Sequence, residues 1–322
     1  MNTTTIKTHI VNLDLPPEDR WHFLRDYITE MEELLSYYLE DLRQFFDAFI
    51  SAEDFAMYSE VFIKESYKKE IASIASMSSF STEDILLANL YYDALKMYLG
   101  CTAFAVVNEH QALHARNLDW FTINNLLSKH SIVLDFQKNN QTLYKTVGWP
   151  GFVGTLSGTR PGAFSVTLNA VTSQDKAEIA APISFVLRDI LEDCDSFDKA
   201  KTILCNTTIP CDCLLLLSGV RPEEKVVIER TPKRFALRET DAPYITVTND
   251  YKQLENESVS DNVLHSTSCG RFDRAMDHLG KGLPQTAEAC LAILKDPNIQ
   301  MEITVQQMVF NTLTGEVLAV KT

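Results

Sequence analysis

The apolar positions of the first hundred residues recur at spacings of three and four. The stretch from Glu18 to Ile50 lacks Gly and Pro and contains WHFLRDYITEMEELLSYYLEDLRQFFDAFI. This spacing gathers apolar side chains on one face of an α-helix. A second helix is predicted from about Ala52 to Ser66. A third is predicted from Ser81 to Leu99, because Ser81 and Asp84 fit a capping box, and we expect Gly100 to end it.

From Cys101 onward the pattern changes to short apolar or alternating runs. Turn signals such as Asn139-Asn140 and Arg160-Pro161-Gly162 separate these runs. Helix-like blocks occur near Pro182 to Ile203 and near Arg271 to Leu294. Helices combined with hairpin-linked strands predict an α+β fold, in which antiparallel sheets are covered by helices. The predicted strands are CTAFAVV, ALHARNL, SIVLDF, QTLYKTV, AFSVTLNAV, CLLLLSGV, KVVIER, RFALRE and YITVTN.

The first two of these runs bring a cysteine close to an arginine. A two-residue turn at Glu109-His110 would join them as a hairpin. In that register Leu118 lies opposite Cys101. Arg116 lies opposite Ala103, on the same face as Cys101, and is its diagonal neighbour. The parity of the turn therefore decides whether the guanidinium can reach the thiol.

A thiol beside a guanidinium suggests a nucleophile that still needs a base. Positive charge favours the thiolate, but a guanidinium cannot accept the proton. His110 and His114 are local candidates for the base. A third candidate is the α-amino group, with a pKa of about 8, that Cys101 would gain if the Gly100–Cys101 bond were cut. The alternative to all of these is a buried structural cysteine in an apolar strand.

The next acidic residue in the hairpin supports the catalytic interpretation. Asp119 would lie just past the strand end, level with Cys101. It closes the sequence Arg-Asn-x-Asp that begins at Arg116. Charged side chains within a mid-chain strand need a reason, since such residues are seldom fully buried unless paired.

Charge and length exclude several classes of function. The chain has 322 residues and a formal net charge of −15, with no basic stripe, so nucleic-acid binding is not expected. No segment approaches the roughly 20 continuous apolar residues of a membrane helix. The start of the sequence has no basic flank followed by an apolar core, and we therefore expect a cytoplasmic protein, with a secreted or lysosomal-like location as the alternative.

The cysteines give no sign of a disulfide framework or a metal centre. There are seven, an odd number, which favours reduced thiols. Cys211 and Cys213 form a C-x-C pair without a histidine at zinc-ligand spacing, and we interpret them as buried strand residues. No Gly-rich phosphate loop follows a strand. The sequence therefore predicts neither a metal nor an organic cofactor.

At this point the residues carry a resemblance to a known family. The segment CTAFAVVNEHQALHARNLDW resembles the opening of the β-subunit in the acid ceramidase and N-acylethanolamine-hydrolysing acid amidase family, whose members are choloylglycine hydrolase-like cysteine hydrolases. The resemblance covers nearly the whole chain, from about His9 to the C-terminal region. It continues in order through HIVNLDLPPEDRW, VLDFQKNNQTLYK, GFVGTLSGTRPGAFSVTLN, YITVTNDY and MVFNTLTGEV.

The resemblance implies a fold and a processing event. The fold is the N-terminal nucleophile hydrolase αββα sandwich, with two antiparallel sheets between helical layers and a helical N-terminal segment. The processing event is self-cleavage between Gly100 and Cys101. It would leave an α-chain of residues 1–100 and a β-chain of residues 101–322, which stay associated as a heterodimer.

The resemblance also assigns roles to site residues. Cys101 would be the nucleophile and its freed amine the general base. Arg116 and Asp119 match the pair that holds the amine and thiol in place. Asn249 matches the asparagine that faces the developing oxyanion. Arg271 matches a late arginine of the family, with Arg274 as its rival.

One departure concerns the strand after the Pro-Gly turn. Family members usually carry an acidic residue and an arginine there, whereas this chain reads LNAV, with Ala170 and Val171. The expected activity is hydrolysis of the linear amide of an N-acyl lipid, such as a ceramide or an N-acylethanolamine. Alternatives are bile-salt conjugates, penicillin-type or acyl-homoserine lactone substrates, or a non-catalytic lipid-binding relative.

The acyl chain of such a substrate would need an apolar wall near the nucleophile. Four aromatic residues are candidates, although each is equally well explained as ordinary core packing. The first helices are amphipathic and offer a possible peripheral contact with a lipid surface, but packing against the rest of the protein is the simpler interpretation. The four candidate wall residues are Trp120, Phe121, Trp149 and Phe152.

Overall fold

The computed structural model describes residues 6–46, 52–91, 93, 99–255 and 266–322. The last residues of two predicted helices, 47–50 and 94–98, lie outside the described residues. The described helices are α1 (Ile28–Phe46), α2 (Ala52–Phe62), α3 (Glu65–Ser76), α4 (Thr82–Asn89), α5 (Leu126–Lys129), α6 (Ile183–Asp193), α7 (Phe197–Asn206), α8 (Ser268–Lys281) and α9 (Ala287–Leu294).

The described strands include every run predicted from the sequence. They are β1 (Thr8–Asn12), β2 (Leu99–Asn108), β3 (Gln111–Trp120), β4 (Ile132–Lys138), β5 (Gln141–Gly148), β6 (Ser157–Arg160), β7 (Phe164–Ala170), β8 (Cys213–Ser218), β9 (Lys225–Arg230), β10 (Phe235–Arg238), β11 (Tyr244–Val247), β12 (Thr304–Asn311) and β13 (Glu316–Lys321). The sequence pattern missed β1, β6, β12 and β13.

The N-terminal segment is mostly helical, as predicted, with differences at its boundaries. Ser81 caps α4, and the reciprocal hydrogen bonds between Ser81 and Asp84 form the predicted capping box. The helix predicted near 52–66 ends earlier, at Phe62, as α2, and a separate helix, α3, follows it. The segment also contributes β1, which the helical prediction did not include. Gly100 does not end a helix, because it lies inside β2.

Two sheets form the centre of the molecule. The larger has the order β1-β4-β5-β6-β7-β8-β9-β10, and the smaller has the order β11-β2-β3-β12-β13. All adjacent strands are antiparallel except β1 and β4, which pair in parallel. The prediction of two antiparallel sheets is therefore correct apart from this edge. The exception arises because β1 reaches the sheet from the separate N-terminal segment rather than through a hairpin.

The two sheets pack against each other between helical layers. Strand β2 packs on β7 and β8 of the larger sheet. Helices α6 and α7 cover the larger sheet, whereas α8 and α9 cover the smaller one. The αββα sandwich is thus confirmed. Within the described part of the chain, no helix is both long enough and apolar enough to cross a membrane.

The hairpin β2–β3 has the predicted register. Asn108 pairs with Gln111, Cys101 with Leu118, and Ala103 with Arg116. The two-residue turn keeps the parity that puts Arg116 on the Cys101 face. This face is turned toward the larger sheet, where β7 lies, and so the hairpin carries the thiol into the interior of the sandwich.

Candidate active site

Cys101 lies in the core with its sulfur beside a guanidinium. Its side chain is buried, and Nη2 of Arg116 lies 3.1 Å from Sγ. Arg116 is held in turn by the larger sheet. Nη1 donates to the carbonyl of Leu156 at 2.8 Å and to Oγ of Ser157, and Nη2 donates to the carbonyl of Leu168. The arginine is therefore fixed by the scaffold rather than by the thiol alone.

The backbone of Cys101 is held by two further side chains. Its N–H donates to Oδ1 of Asn249 at 3.1 Å, and its carbonyl accepts from Nη1 of Arg271 at 2.7 Å. Nη2 of Arg271 also donates to Oδ1 of Asn249 at 2.8 Å. Arg274, the rival candidate, instead pairs with Asp296 at 2.6 Å. The structure thus brings Arg271, not Arg274, to Cys101.

Asn249 follows β11 in an irregular segment, and its amide is oriented from several sides. Two donors face Oδ1, which leaves Nδ2 to donate to the carbonyl of Ala170 at 2.8 Å. The backbone N–H of Asn249 donates to Oγ of Ser268 at 2.9 Å. This orientation places an N–H group of the side chain next to the end of β7, close to Cys101.

Asp119 occupies a different place from the one expected. It lies within β3 opposite Gly100, not beyond the strand end. Because strand side chains alternate, it faces away from Arg116. Its Oδ1 accepts from Oγ1 of Thr304 at 2.6 Å, and its Oδ2 lies 3.9 Å from Nη1 of Arg271, too far for a hydrogen bond. Asp119 therefore reaches the backbone of Cys101 through Arg271, not through Arg116.

The environment of Asp119 opposes its ionisation. Burial raises the pKa of this carboxyl, against the lowering effects of the Arg271 charge and the Thr304 hydrogen bond. Among the described residues, Oδ2 has no hydrogen-bond partner. A buried carboxyl oxygen that is left without a donor costs stability, which makes Asp119 a candidate for a functional role.

Neither local histidine is placed to deprotonate Cys101. His110 is in the exposed turn of the hairpin. His114 pairs with Ala105, further along the strands, and its ring bonds Ser218 and Thr167. Burial and the nearby Arg116 charge lower the pKa of His114 to about 3, so the ring stays neutral. Neither histidine is therefore available as the base for Cys101.

Three of the four predicted wall aromatics form one cluster. Trp120 lies on the Cys101 face of β3 and stacks on Tyr91, with ring centroids 5.3 Å apart. Trp149 meets Trp120 edge-on at 6.0 Å and contacts Phe152 at 5.8 Å. Phe121 lies just beyond the end of β3 and is 60% exposed, so it does not join them.

Asn169 is a buried polar residue near the site that was not singled out from the sequence. Nδ2 of Asn169 donates to the carbonyls of Val247 and Thr248, which directly precede Asn249. The signal that could have found it is a lone amide in the apolar run AFSVTLNAV. Ala170, where the resemblance implies an acidic residue, contributes its backbone carbonyl to Asn249.

Two family models match this chain on either side of Cys101. The model described as acyl-coenzyme A:6-aminopenicillanic acid acyl-transferase matches residues 106–317, more than half of the chain. The model described as the beta subunit of N-acylethanolamine-hydrolyzing acid amidase matches residues 4–56.

Individual relatives agree with these matches. Acid ceramidase from Balaenoptera acutorostrata scammoni is 28% identical over 79% of this chain and 72% of its own length. Acid ceramidase from Bos taurus is 29% identical over 70% of this chain and 64% of its own length. The solved structure of a Caenorhabditis elegans N-acylethanolamine-hydrolyzing acid amidase ortholog shares the fold, with a TM-score of 0.55, 23% identity, and coverage of 67% of this chain and 94% of that one. The chain therefore belongs to the acid ceramidase and N-acylethanolamine-hydrolysing acid amidase family.

Proposed function

We propose that this protein hydrolyses the linear amide bond of an N-acyl lipid, with Cys101 as its N-terminal nucleophile. The observation that carries the proposal is the way three atoms of Cys101 are held. Sγ lies beside Arg116, the backbone N–H meets Asn249, and the carbonyl meets Arg271. A structural cysteine would not need a guanidinium at its sulfur and two side chains at its backbone.

Self-cleavage of the Gly100–Cys101 bond supplies the base. In the uncut chain the nitrogen of Cys101 is an amide, which cannot take a proton from the thiol. After scission it is an amine whose pKa in the free state is about 8. The two family models match on opposite sides of this bond, which supports chains of residues 1–100 and 101–322. Several buried contacts join the two segments and would keep the chains together as a heterodimer.

Hydrolysis then proceeds in two steps. The amine of Cys101 takes the thiol proton, and the sulfur attacks the carbonyl carbon of the substrate amide. Asn249 donates to the resulting oxyanion through its Nδ2 group. The proton passes to the leaving amine as the C–N bond breaks, and an acyl-thioester remains on Cys101. Water attacks the thioester, releasing the fatty acid and restoring the thiol.

The expected substrates are ceramide-like or N-acylethanolamine-like amides. Relatives named acid ceramidase and N-acylethanolamine-hydrolyzing acid amidase support this class. The cluster of Trp120, Trp149 and Phe152 supplies an apolar wall on the Cys101 side of the sheet for an acyl chain. Phe121 is exposed at the end of the same strand and would contact a substrate only at the surface.

Mass spectrometry combined with an amide panel tests the proposal. The purified wild-type chain of 36.4 kDa should split at Gly100–Cys101 and release amine from N-acyl amides. Cys101→Ala should remain uncut and inactive, whereas Cys205→Ala, a change in a helix away from the site, should behave like wild type. The panel includes bile-salt conjugates, penicillin-type amides and acyl-homoserine lactones. A chain that stays whole and releases no amine would instead indicate a lipid-binding relative.

A further inference from the structure

A buried ion pair outside the site holds the segment that carries Asn249. Glu229 on β9 and Arg238 on β10 lie on the same face of the larger sheet, since Glu229 pairs with Ala236 and strand faces alternate. Nε and Nη2 of Arg238 donate to Oε1 of Glu229 at 3.0 and 2.5 Å. The side chain of Glu229 is fully buried. Neither residue contacts Cys101.

Arg238 donates hydrogen bonds to backbone carbonyls on both sides of Asn249. Its Nη1 donates to the carbonyl of Thr246 at 3.3 Å, and its Nη2 donates to the carbonyl of Asp250 at 2.9 Å. Thr246 is the third residue of β11 in the smaller sheet. One guanidinium from the larger sheet therefore spans the point where β11 ends and Asn249 begins its irregular segment. A planar fork can do this because its N–H groups have fixed directions.

Glu229 accepts hydrogen bonds from backbone N–H groups that follow Asp250. Oε1 accepts from the N–H of Lys252 at 2.9 Å. Oε2 accepts from the N–H groups of Gln253 and Leu254 at 2.9 and 2.8 Å. With the two bonds from Arg238, the carboxylate accepts five hydrogen bonds. These bonds compensate the burial of a charge, and breaking them would leave backbone N–H groups without partners.

We propose that Glu229 and Arg238 are positioning residues that set the placement of the Asn249 amide relative to Cys101. This inference rests on the proposed function, in which that amide stabilises the oxyanion. A displacement of about 1 Å in a catalytic group can cost about a hundredfold in rate. An irregular segment has no strand ladder to fix its position, so the hydrogen bonds of this ion pair to the backbone fix it instead. We call Glu229 and Arg238 the Asn249 clamp.

The first test is a double-mutant cycle on the processed enzyme. Glu229→Gln preserves shape but removes the charge, and it should lower kcat by about tenfold or more with a change in KM below about threefold. In an Asn249→Ala background the same change should have an effect of less than about twofold, because the amide that it positions is gone. Equal losses in both backgrounds would overturn the proposal, since they would indicate general damage to the fold.

The matched control is the neighbouring acidic residue. Glu239→Gln removes a surface ion pair with Lys201, in which Glu239 is 59% exposed, and should leave kcat unchanged. If Glu229→Gln does not fold, Arg238→Lys replaces it. The lysine keeps a charge for Glu229 but cannot also span Thr246 and Asp250, and it should show the same dependence on Asn249. Wild-type kcat in the lysine variant would contradict the clamp.

A second measurement separates this inference from the proposed function. With ¹⁵N-labelled asparagine, the side-chain amide signals of Asn249 are identified by their loss in Asn249→Ala. They should shift or broaden in Glu229→Gln but not in Glu239→Gln. If they move while wild type hydrolyses no amide, the clamp stands and the proposed function fails. If amides are hydrolysed but the signals stay fixed in Glu229→Gln, the clamp fails alone.

Discussion

Nη2 of Arg116 lies 3.1 Å from Sγ of Cys101, and the same arginine is anchored to the larger sheet through Leu156, Ser157 and Leu168. One side chain thus connects the sulfur on β2 to carbonyl and hydroxyl oxygens of the facing sheet. The contacts with the larger sheet therefore hold the positive charge in a fixed position next to the thiol.

Arg116→Lys tests whether catalysis needs the planar guanidinium of this arginine. A lysine retains the charge but, as a compact ammonium, cannot reproduce the fork that reaches both the sulfur and the facing sheet. We expect kcat to fall about a hundredfold, the loss typical of a displaced catalytic group. Arg160→Lys is the control, because Arg160 bonds only helix carbonyls away from the site. Steady-state rates on one N-acyl amide decide the question, and an unchanged kcat for Arg116→Lys would refute the role.

Asn249→Ala tests the oxyanion assignment. Removal of one such donor typically costs about 3–4 kcal/mol of barrier lowering, so turnover should fall by about a hundredfold or more with little change in KM. The assay uses only the fraction that mass spectrometry shows to be cleaved, because Asn249 also accepts from the backbone of Cys101. Asn206→Ala, at an exposed helix end, serves as the control. A rise in KM without a loss of kcat would indicate substrate binding instead.

Asp119→Asn should change the stability of the fold and the rate of self-cleavage in opposite directions. Since burial raises the pKa of Asp119 in the folded state, ionisation costs the native state stability as pH rises through that pKa. The neutral asparagine avoids this cost. We therefore expect the variant to be at least as stable as wild type at pH 7, with the difference shrinking at pH values below 3.8, the ordinary pKa.

The rate of self-cleavage of Asp119→Asn should nevertheless decrease, because the carboxyl group faces Arg271 and lies opposite Gly100 at the proposed cleavage site. Urea unfolding between pH 3 and 7 and the rate of self-cleavage measure the two effects. A variant that is less stable than wild type at pH 7 would contradict the electrostatic argument. A variant that cleaves at the wild-type rate would show that Asp119 plays no part in processing.

The buried pair of Glu70 and Arg188 joins the two segments and should stabilise the folded chain. Glu70 on α3 accepts from Nη1 and Nη2 of Arg188 on α6 at 2.6 and 2.9 Å, and both side chains are fully buried. Trp21 and Arg20 also donate to Glu70. Glu70→Gln should lower the free energy of unfolding by about 3–5 kcal/mol at pH 7, because it leaves a buried charge without its partner.

The effect of Glu70→Gln should depend on pH in a defined direction. Burial acts to raise the pKa of Glu70, but the charge and hydrogen bonds of Arg188, with those of Trp21 and Arg20, lower it below its ordinary value of 4.5. The stabilisation is therefore present above 4.5 and is lost as pH falls through the lowered pKa. Urea titrations in a Cys101→Ala background, with the exposed Glu40→Gln as control, measure it. A difference that persists unchanged in acid would indicate packing rather than charge.

Local features of this protein were predictable because they depend on neighbours in the sequence. The two-residue turn and the alternation of strand side chains fixed the hairpin register and placed Arg116 on the Cys101 face. The same alternation also places Asp119 on the opposite face, although the sequence prediction put it level with the cysteine. The capping box at Ser81 and the Asn139-Asn140 turn, where both residues have positive φ, are likewise local.

By itself, then, the sequence determined a helical segment followed by hairpin-linked strands, a cysteine at the start of the first hairpin, and an arginine on its face. Only the tertiary structure decided which distant groups meet that cysteine. Asn249 is 148 positions away and Arg271 is 170 positions away, and the choice between Arg271 and Arg274 depends on how α8 packs. Periodicity specifies which face of an element is buried, but the partners across that face are set by the packing of whole sheets and helices, which no local pattern records.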